Sequence, residues 1–266
     1  MDFTLRKYDA LLQAFQNAGY EVYTFRRYLQ THPSVRAPKF VILRHDVDRL
    51  PENSHATALL EQQRQMCATY FFRRKPCSDR SSVIVAISDM GHEIGYHYED
   101  VGECKGNLQE AWEHFQNALA HFRNFAEVNT ICMHGAPVLD YDNHALWNEH
   151  DYRSLGVIGD TLFDTDYDDV FYITDTGRRW DGYKVSRRDN VPQQQDWIKR
   201  GFSYHSTDDI IRAVDSNQFP HHVMMTTHPQ RWTDRPLPWI REFLLQNAKN
   251  VVKFFLIRIK KSKQEE

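Results

Sequence analysis

Apolar positions recur at helical spacing from the first turn of the chain. Leu5, Tyr8, Leu11, Leu12 and Phe15 share one face and are followed by Asn17-Ala18-Gly19, so the chain opens with an amphipathic helix and a glycine stop. After Pro38 and Lys39 the period changes: residues 40–43 form a continuous apolar and β-branched run that turns polar at Arg44-His45-Asp46-Val47-Asp48. That is the look of a buried parallel strand. From there the pattern alternates: helix over 51–66, strand over 68–72, helix over 82–90, strand over 92–98, a long helix over 108–125 and a strand over 130–133. The middle is less regular. Short strands are predicted at 155–159 and 170–173, joined by an acidic loop, then a short helix over 208–214, a last strand over 222–227 and a closing helix over 238–253. Strands separated by helices imply a parallel sheet with right-handed crossovers. The prediction is an α/β protein, one barrel-like domain over residues 1–266.

Composition supports a large packed core, with 41% hydrophobic and 26% charged residues. A net charge of -3 supplies no basic field for phosphate backbones, so nucleic acid is not an expected partner. Cys67, Cys77, Cys104 and Cys132 form no CxxC pair and read as reduced structural thiols. The first residues alternate charge and hydrophobe without the apolar run of a secretory signal, which places the expected protein in the cytoplasm. No transmembrane segment is expected: residues 251–259 are interrupted by Lys253 and Arg258 and read as a buried element. The basic tail Lys260-Lys261-Ser262-Lys263 reads as a solvated end.

Chemistry concentrates where apolar strands end. Asp46 and Asp48 are two apart and point to one face of a strand, at the end of the barrel where such folds place their sites. Hard oxygen ligands there suit a divalent metal; the plainer alternative is a helix cap or a pair with Arg44. In Gly91-His92-Glu93-Ile94-Gly95-Tyr96-His97-Tyr98-Glu99, residues Glu93, His97 and Glu99 share one parity if the segment is extended. The two glycines suggest close backbone approach. His97 is a natural nitrogen ligand beside Asp48, and a mixed histidine and carboxylate set fits zinc or another transition metal. The plainer alternative is a hydrogen-bonded core imidazole. His134 ends the 130–133 strand and His228 the 222–227 strand. Polar groups repeated at the ends of apolar strands are costly unless they meet at a site.

The Asp pair, Ala68-Thr69-Tyr70-Phe71-Phe72, the Gly91 to His97 string and Thr227-His228-Pro229 resemble, in this order, the motifs of the polysaccharide deacetylase superfamily (NodB-homology, carbohydrate esterase family 4). The resemblance spans about residues 38–232. Met133-His134-Gly135, Asp175-Thr176-Gly177-Arg178-Arg179-Trp180 and His228-Pro229-Gln230-Arg231-Trp232 look like a divergent, WbmS-like branch associated with surface-polysaccharide genes. The resemblance implies a distorted (β/α)7-type barrel with its core at about 38–255 and residues 1–37 as an N-terminal helical extension. It implies Asp46 as general base, Asp48 and His97 as ligands of one divalent ion, and His228 as general acid. Zinc leads, with cobalt, nickel and manganese as alternatives. The family's second metal histidine, four residues after the first, is Val101 here, so Glu99 or His134 must complete the site. The family's arginine-proline string on the fourth strand is absent as well.

Arg178, Arg179, Trp180 and Asp181, with Arg231 further on, offer charge and a flat apolar face that suit a sugar ring or a phosphate-bearing saccharide; an arginine stacked on a tryptophan for packing is the alternative. The resemblance thus implies an amide hydrolase removing an N-acyl group from an amino sugar or saccharide precursor. An allantoinase-like hydrolase of small amides and a catalytically silent saccharide-binding barrel are the other two readings.

Overall fold

The computed structural model describes residues 1–135, 141–180 and 191–262, with side-chain surroundings as far as Asn250. In chain order the elements are α1 (Leu5–Asn17), β1 (Glu21–Tyr23), α2 (Phe25–Gln30), β2 (Phe40–Val47), α3 (Pro51–Gln63), β3 (Thr69–Phe72), α4 (Ser81–Asp89), β4 (Glu93–Tyr98), α5 (Asp100–Glu103), α6 (Leu108–Arg123) and β5 (Thr130–Met133). Then follow β6 (Gly159–Asp160), β7 (Phe171–Thr174), α7 (Gln194–Lys199), α8 (Thr207–Asp215), β8 (His222–Thr227) and α9 (Pro236–Ser262).

All described strand pairs are parallel. Their order is β6-β5-β4-β3-β2-β8-β7, a curled sheet that makes a half-barrel, consistent with the distorted (β/α)7 barrel expected. β2 lies in the middle. β8 runs along one of its edges, while the other edge pairs with β1 through Phe40–Ile42 and with β3 through Arg44–Val47. β1 was not foreseen, because three residues are too few to show a period.

All eight residues of β2 are buried, including Arg44, His45 and Asp46. Alternation sends Arg44 and Asp46 to one face and His45 to the other. Arg44 Nη1 donates to Thr161 Oγ1 beyond β6 at 3.3 Å, so its face is the barrel interior. His45 meets α1 and α3 on the outer side. Gly95 in β4 stands on the inner face beside Phe71, and a Cβ there would come 2.3 Å from the Phe71 ring. The expected close approach is real: the glycine makes room for the phenyl ring that fills the barrel below Asp46.

Helix ends follow local chemistry. Thr4 caps α1 by accepting from the Lys7 N–H, and Ser206 with Asp209 forms a reciprocal capping box at α8. Four expectations need correction. Residues 155–159 are not a strand: Tyr152–Leu155 is a single 3-10 turn ended by Gly156 at φ 74, and only Gly159–Asp160 pairs with β5. The extended run through Glu99 breaks off, because β4 ends at Tyr98 and Glu99 is the N-cap of α5 at φ -148, ψ 27. Glu93 sits at the opposite end of β4 from His97, bonded to Thr69 and Thr130 and to the Arg26 N–H. The closing helix is longer than expected, Pro236–Ser262, since neither proline nor glycine interrupts the chain after Pro238.

Candidate active site

The C-terminal ends of β2, β4, β5 and β8 bring Asp48, His97, His134 and His228 together. Asp48 Oδ1 is 3.7 Å from His97 Nε2 and 3.4 Å from His134 Nε2, and Asp48 Oδ2 is 3.9 Å from His228 Nε2. Donor atoms about 2.1 Å from one tetrahedral ion stand about 3.4 Å apart, so Asp48, His97 and His134 have the spacing of a metal triad. The second imidazole of this candidate triad is that of His134, which follows β5; position 101 is a valine buried at the start of α5.

The surroundings orient these groups. His97 Nδ1 lies 3.0 Å from the Cys132 carbonyl oxygen and donates to it, which leaves the Nε2 lone pair for the centre. His134 Nδ1 lies 3.0 Å from Glu99 Oε2, and Arg73 grips Glu99 through both oxygens. Glu99 thus stands behind His134. Gln230 Nε2 donates to Asp48 Oδ2 at 3.1 Å, while Asp48 Oδ1 is buried with no hydrogen-bond partner. A buried carboxylate oxygen without a donor, faced by two imidazole nitrogens, fits a cation.

Charge states agree with that reading. Burial is the largest influence on His97 and, with His134 alongside, pushes it down to about 4, so it is a neutral ligand near pH 7. Burial opposes ionisation of Asp48, but His228, His134 and His97 outweigh it and lower its pKa. Glu99 is desolvated yet held down to about 2 by His134 and Arg73. Asp46, Cys132 and His97 form a second group of potential ligands. It is the weaker set, since burial keeps the Cys132 thiol protonated and Arg44 occupies both Asp46 oxygens.

Asp46 stands beside the triad, with Oδ2 3.7 Å from His97 Nε2. Arg44 Nε and Nη2 donate to its two oxygens at 2.8 and 2.7 Å. Burial alone would raise this carboxyl, but Arg44 and His97 hold it well below the usual carboxylate range. A cleft lined by Arg44, Cys132, Met133, Thr161 and Tyr172 opens beside it.

On the other flank His228 Nδ1 is 2.6 Å from Asp175 Oδ1, and the His228 N–H donates to Asp175 Oδ2 at 3.1 Å. Trp232 Nε1 and Arg231 Nη1 also donate to Asp175, at 2.8 and 2.5 Å. Burial and Arg231 oppose the charged imidazolium, yet Asp175 prevails and the pKa of His228 is raised. Asp175 ends β7 and is fully buried. Sequence reasoning gave it no role, although it obeys the rule that found the others: a polar residue at the end of an apolar strand.

Three of the four described residues expected to contact a saccharide are buried and engaged within the protein. Trp180 is 2% exposed, stacked on Phe3 at 6.3 Å and bonded to Thr207. Arg178 is buried over the rings of Trp239 and Phe3 at 4.7 and 4.9 Å. Arg231 is committed to Asp175, and Arg179 is exposed. Asp181 lies outside the described residues.

A second polar cluster went unforeseen. On the outer face of β2 the fully buried Glu61 accepts bonds from the hydroxyls of Tyr8 and Tyr70, the latter at 2.8 Å, and lies 2.7 Å from His45 Nε2. His45 Nδ1 is 2.5 Å from Thr227 Oγ1. His45 and Thr227 are the chain neighbours of Asp46 and His228, so α1 and α3 brace the two strand ends that carry the site.

No family model matches the chain, and no curated protein matches it. Among solved structures it is similar to Streptococcus pyogenes deacetylase PplD in complex with acetate, at 14% identity over 58% of this chain and 70% of that one, with a TM-score of 0.43. It is similar to BA3943, a CE4 family pseudoenzyme from Bacillus anthracis, at 11% identity over 83% and 68% of the two chains and a TM-score of 0.44. A mutant of peptidoglycan deacetylase PdaC from Bacillus subtilis matches at 12% identity over 81% and 96%, with a TM-score of 0.39. These proteins come from the superfamily that the motifs resemble. At such scores the overlap carries no argument about chemistry, which rests on the residues above.

Proposed function

We propose that the chain is a metal-dependent amide hydrolase that removes an N-acyl group from an amino sugar or saccharide precursor, in the reaction class that serves surface-polysaccharide assembly. The observation that carries this reading is the buried, donorless Asp48 Oδ1 facing His97 and His134, with Asp46 on one flank and the Asp175-backed His228 on the other.

Asp48, His97 and His134 would hold the ion, with zinc the best match to a set of two imidazoles and one carboxylate. When bound, a divalent cation there supplies Lewis-acid polarisation of the amide carbonyl and a lowered pKa for water. Glu99 keeps His134 in position, and the Cys132 carbonyl does so for His97. Asp46, kept ionised by Arg44, accepts the proton of the attacking water. His228, whose pKa Asp175 raises, gives its proton to the departing nitrogen, and the buried Asp175 fixes the imidazole so that Nε2 faces the site.

One observation favours a second reading. A carboxylate gripped at both oxygens by a guanidinium is a weak base, and this grip on Asp46 suits a catalytically silent saccharide-binding barrel. Two measurements decide. The hydrolase reading expects one zinc or similar ion per purified chain and metal-dependent release of acetate or formate from N-acylated sugar nucleotides rather than from cyclic ureides. A chain that binds N-acyl saccharides but neither retains metal nor releases acid from any of them is the silent barrel.

A further inference from the structure

Asp48 and His134 stand at the ends of strands that are not neighbours. β3 and β4 separate β2 from β5, so no hydrogen-bond ladder directly fixes the 3.4 Å between Asp48 Oδ1 and His134 Nε2. Side chains span the gap instead, one from the end of each strand in turn. Arg73 follows β3 and Glu99 follows β4. Arg73 Nη1 lies 3.5 Å from the Asp48 carbonyl oxygen. Its Nε and Nη2 donate to Glu99 Oε1 at 2.8 and 2.7 Å, and Nη2 also donates to Glu99 Oε2 at 2.7 Å. Glu99 Oε2 in turn lies 3.0 Å from His134 Nδ1. One guanidinium and one carboxylate thus close the path from β2 to β5.

The pair is placed to orient rather than to staple a surface loop. The two side chains are 16% and 11% exposed, and a guanidinium that engages both oxygens of a carboxylate fixes its rotation as well as its place. With that rotation fixed, Glu99 Oε2 sets the direction of the His134 ring. Arg73 is itself anchored: its backbone N–H donates to Ser78 Oγ at 3.0 Å, and Ser78 Oγ donates to the Val47 carbonyl. Cys77 Sγ donates to the Asp48 carbonyl at 3.3 Å. Residues 73–78 therefore hold both the backbone that carries Asp48 and the carboxylate behind His134. Arg74 of the same segment is turned elsewhere; it pairs with Asp79, and its side chain is 42% exposed.

We infer that Arg73 is a positioning residue of the metal triad, acting on His134 through Glu99 to set its distance from Asp48. The inference rests on the reading of Asp48, His97 and His134 as metal ligands. Without Arg73, Glu99 is a desolvated carboxylate stripped of its guanidinium, and the His134 ring loses the partner that directs it.

The test is the zinc affinity of the full chain, measured by competition with a chromophoric chelator. Arg73→Met should weaken it about tenfold or more. Arg73→Lys keeps the charge without the two-pronged grip and should recover part of that loss. Arg73→Met combined with Glu99→Gln should be no weaker than Glu99→Gln alone, because the first residue acts through the second. Arg74→Met, a control in the same segment, should bind zinc as the parent does. Unchanged zinc affinity in Arg73→Met, or losses that add in the combined variant, overturn the inference and leave the triad standing. A parent chain that takes up neither zinc nor manganese overturns the metal reading and the inference with it. If Arg73→Met does not fold, Arg73→Lys with and without Glu99→Gln closes the same cycle.

Discussion

His228 and Asp175 are joined twice, through the imidazole Nδ1 at 2.6 Å and through the His228 backbone N–H at 3.1 Å, although 53 residues separate them. The double tie fixes the direction of the ring. Asp175→Asn replaces one acceptor with a donor and removes the charge that keeps His228 protonated. Turnover should fall about a hundredfold or more at neutral pH, with KM little changed, and the alkaline limb of kcat should move to lower pH. An unchanged alkaline limb would show that His228 is not the acid.

Metal binding separates the acidic residues. Asp48→Asn and His134→Ala should lose the ion, measured as metal per chain after dialysis. Glu99→Gln, which only loosens His134, should weaken affinity about 10-fold to 100-fold. Asp46→Asn should keep the metal and abolish turnover. Equal metal loss in Asp46→Asn and Asp48→Asn contradicts this division.

Asp160 gives a pH signature apart from the site. Burial pushes its carboxyl up to about 6, against the bonds it accepts from the Leu162 N–H and the Tyr98 hydroxyl. An unfolded aspartate titrates near ~3.9, so between these values the folded state holds a proton that the unfolded state lacks. Its contribution to stability is best at low pH and is lost as pH rises through about 6, by about 3 kcal/mol in all. In Asp160→Asn the unfolding free energy should decline less between pH 4 and pH 7 than in the parent. Parallel profiles would mean that Asp160 titrates normally.

Glu61 should dominate the stability of the barrel wall. Glu61→Ala removes the carboxylate shared by the Tyr8 and Tyr70 hydroxyls and His45 in a dry layer and should cost about 3 to 5 kcal/mol in denaturant unfolding, against about 1 to 3 kcal/mol for Glu61→Gln, which keeps an acceptor. A loss under about 0.5 kcal/mol for Glu61→Ala, the range of ordinary surface changes, would show that the cluster holds nothing together.

Much of the site was legible in the sequence. Asp46, Asp48, His97, His134 and His228 each stand at the end of an apolar strand, and burying such groups makes sense only where they meet. Asp175 obeyed the same rule, but its strand lies in the least regular part of the chain. The choice between Glu99 and His134 was not legible, because parity along β4 ceases to apply where Glu99 turns into α5. Trp180 looked like a sugar platform; its environment is set by Phe3 and Trp232, from the two ends of the chain.

By itself the sequence determined the longer helices and most of the strands, their order, and which side chains stand at the strand ends, because hydrophobic period and turn residues act over a few neighbours; the short elements β1, α2, α5 and α7 were beyond it. Only the tertiary structure decided the partners: the β5 imidazole His134 beside Asp48 and His97, Arg44 gripping Asp46, and Asp175 behind His228. Such pairings depend on strand order and register between segments far apart in the chain. A local pattern tells which face a residue occupies and is silent about what lies across from it.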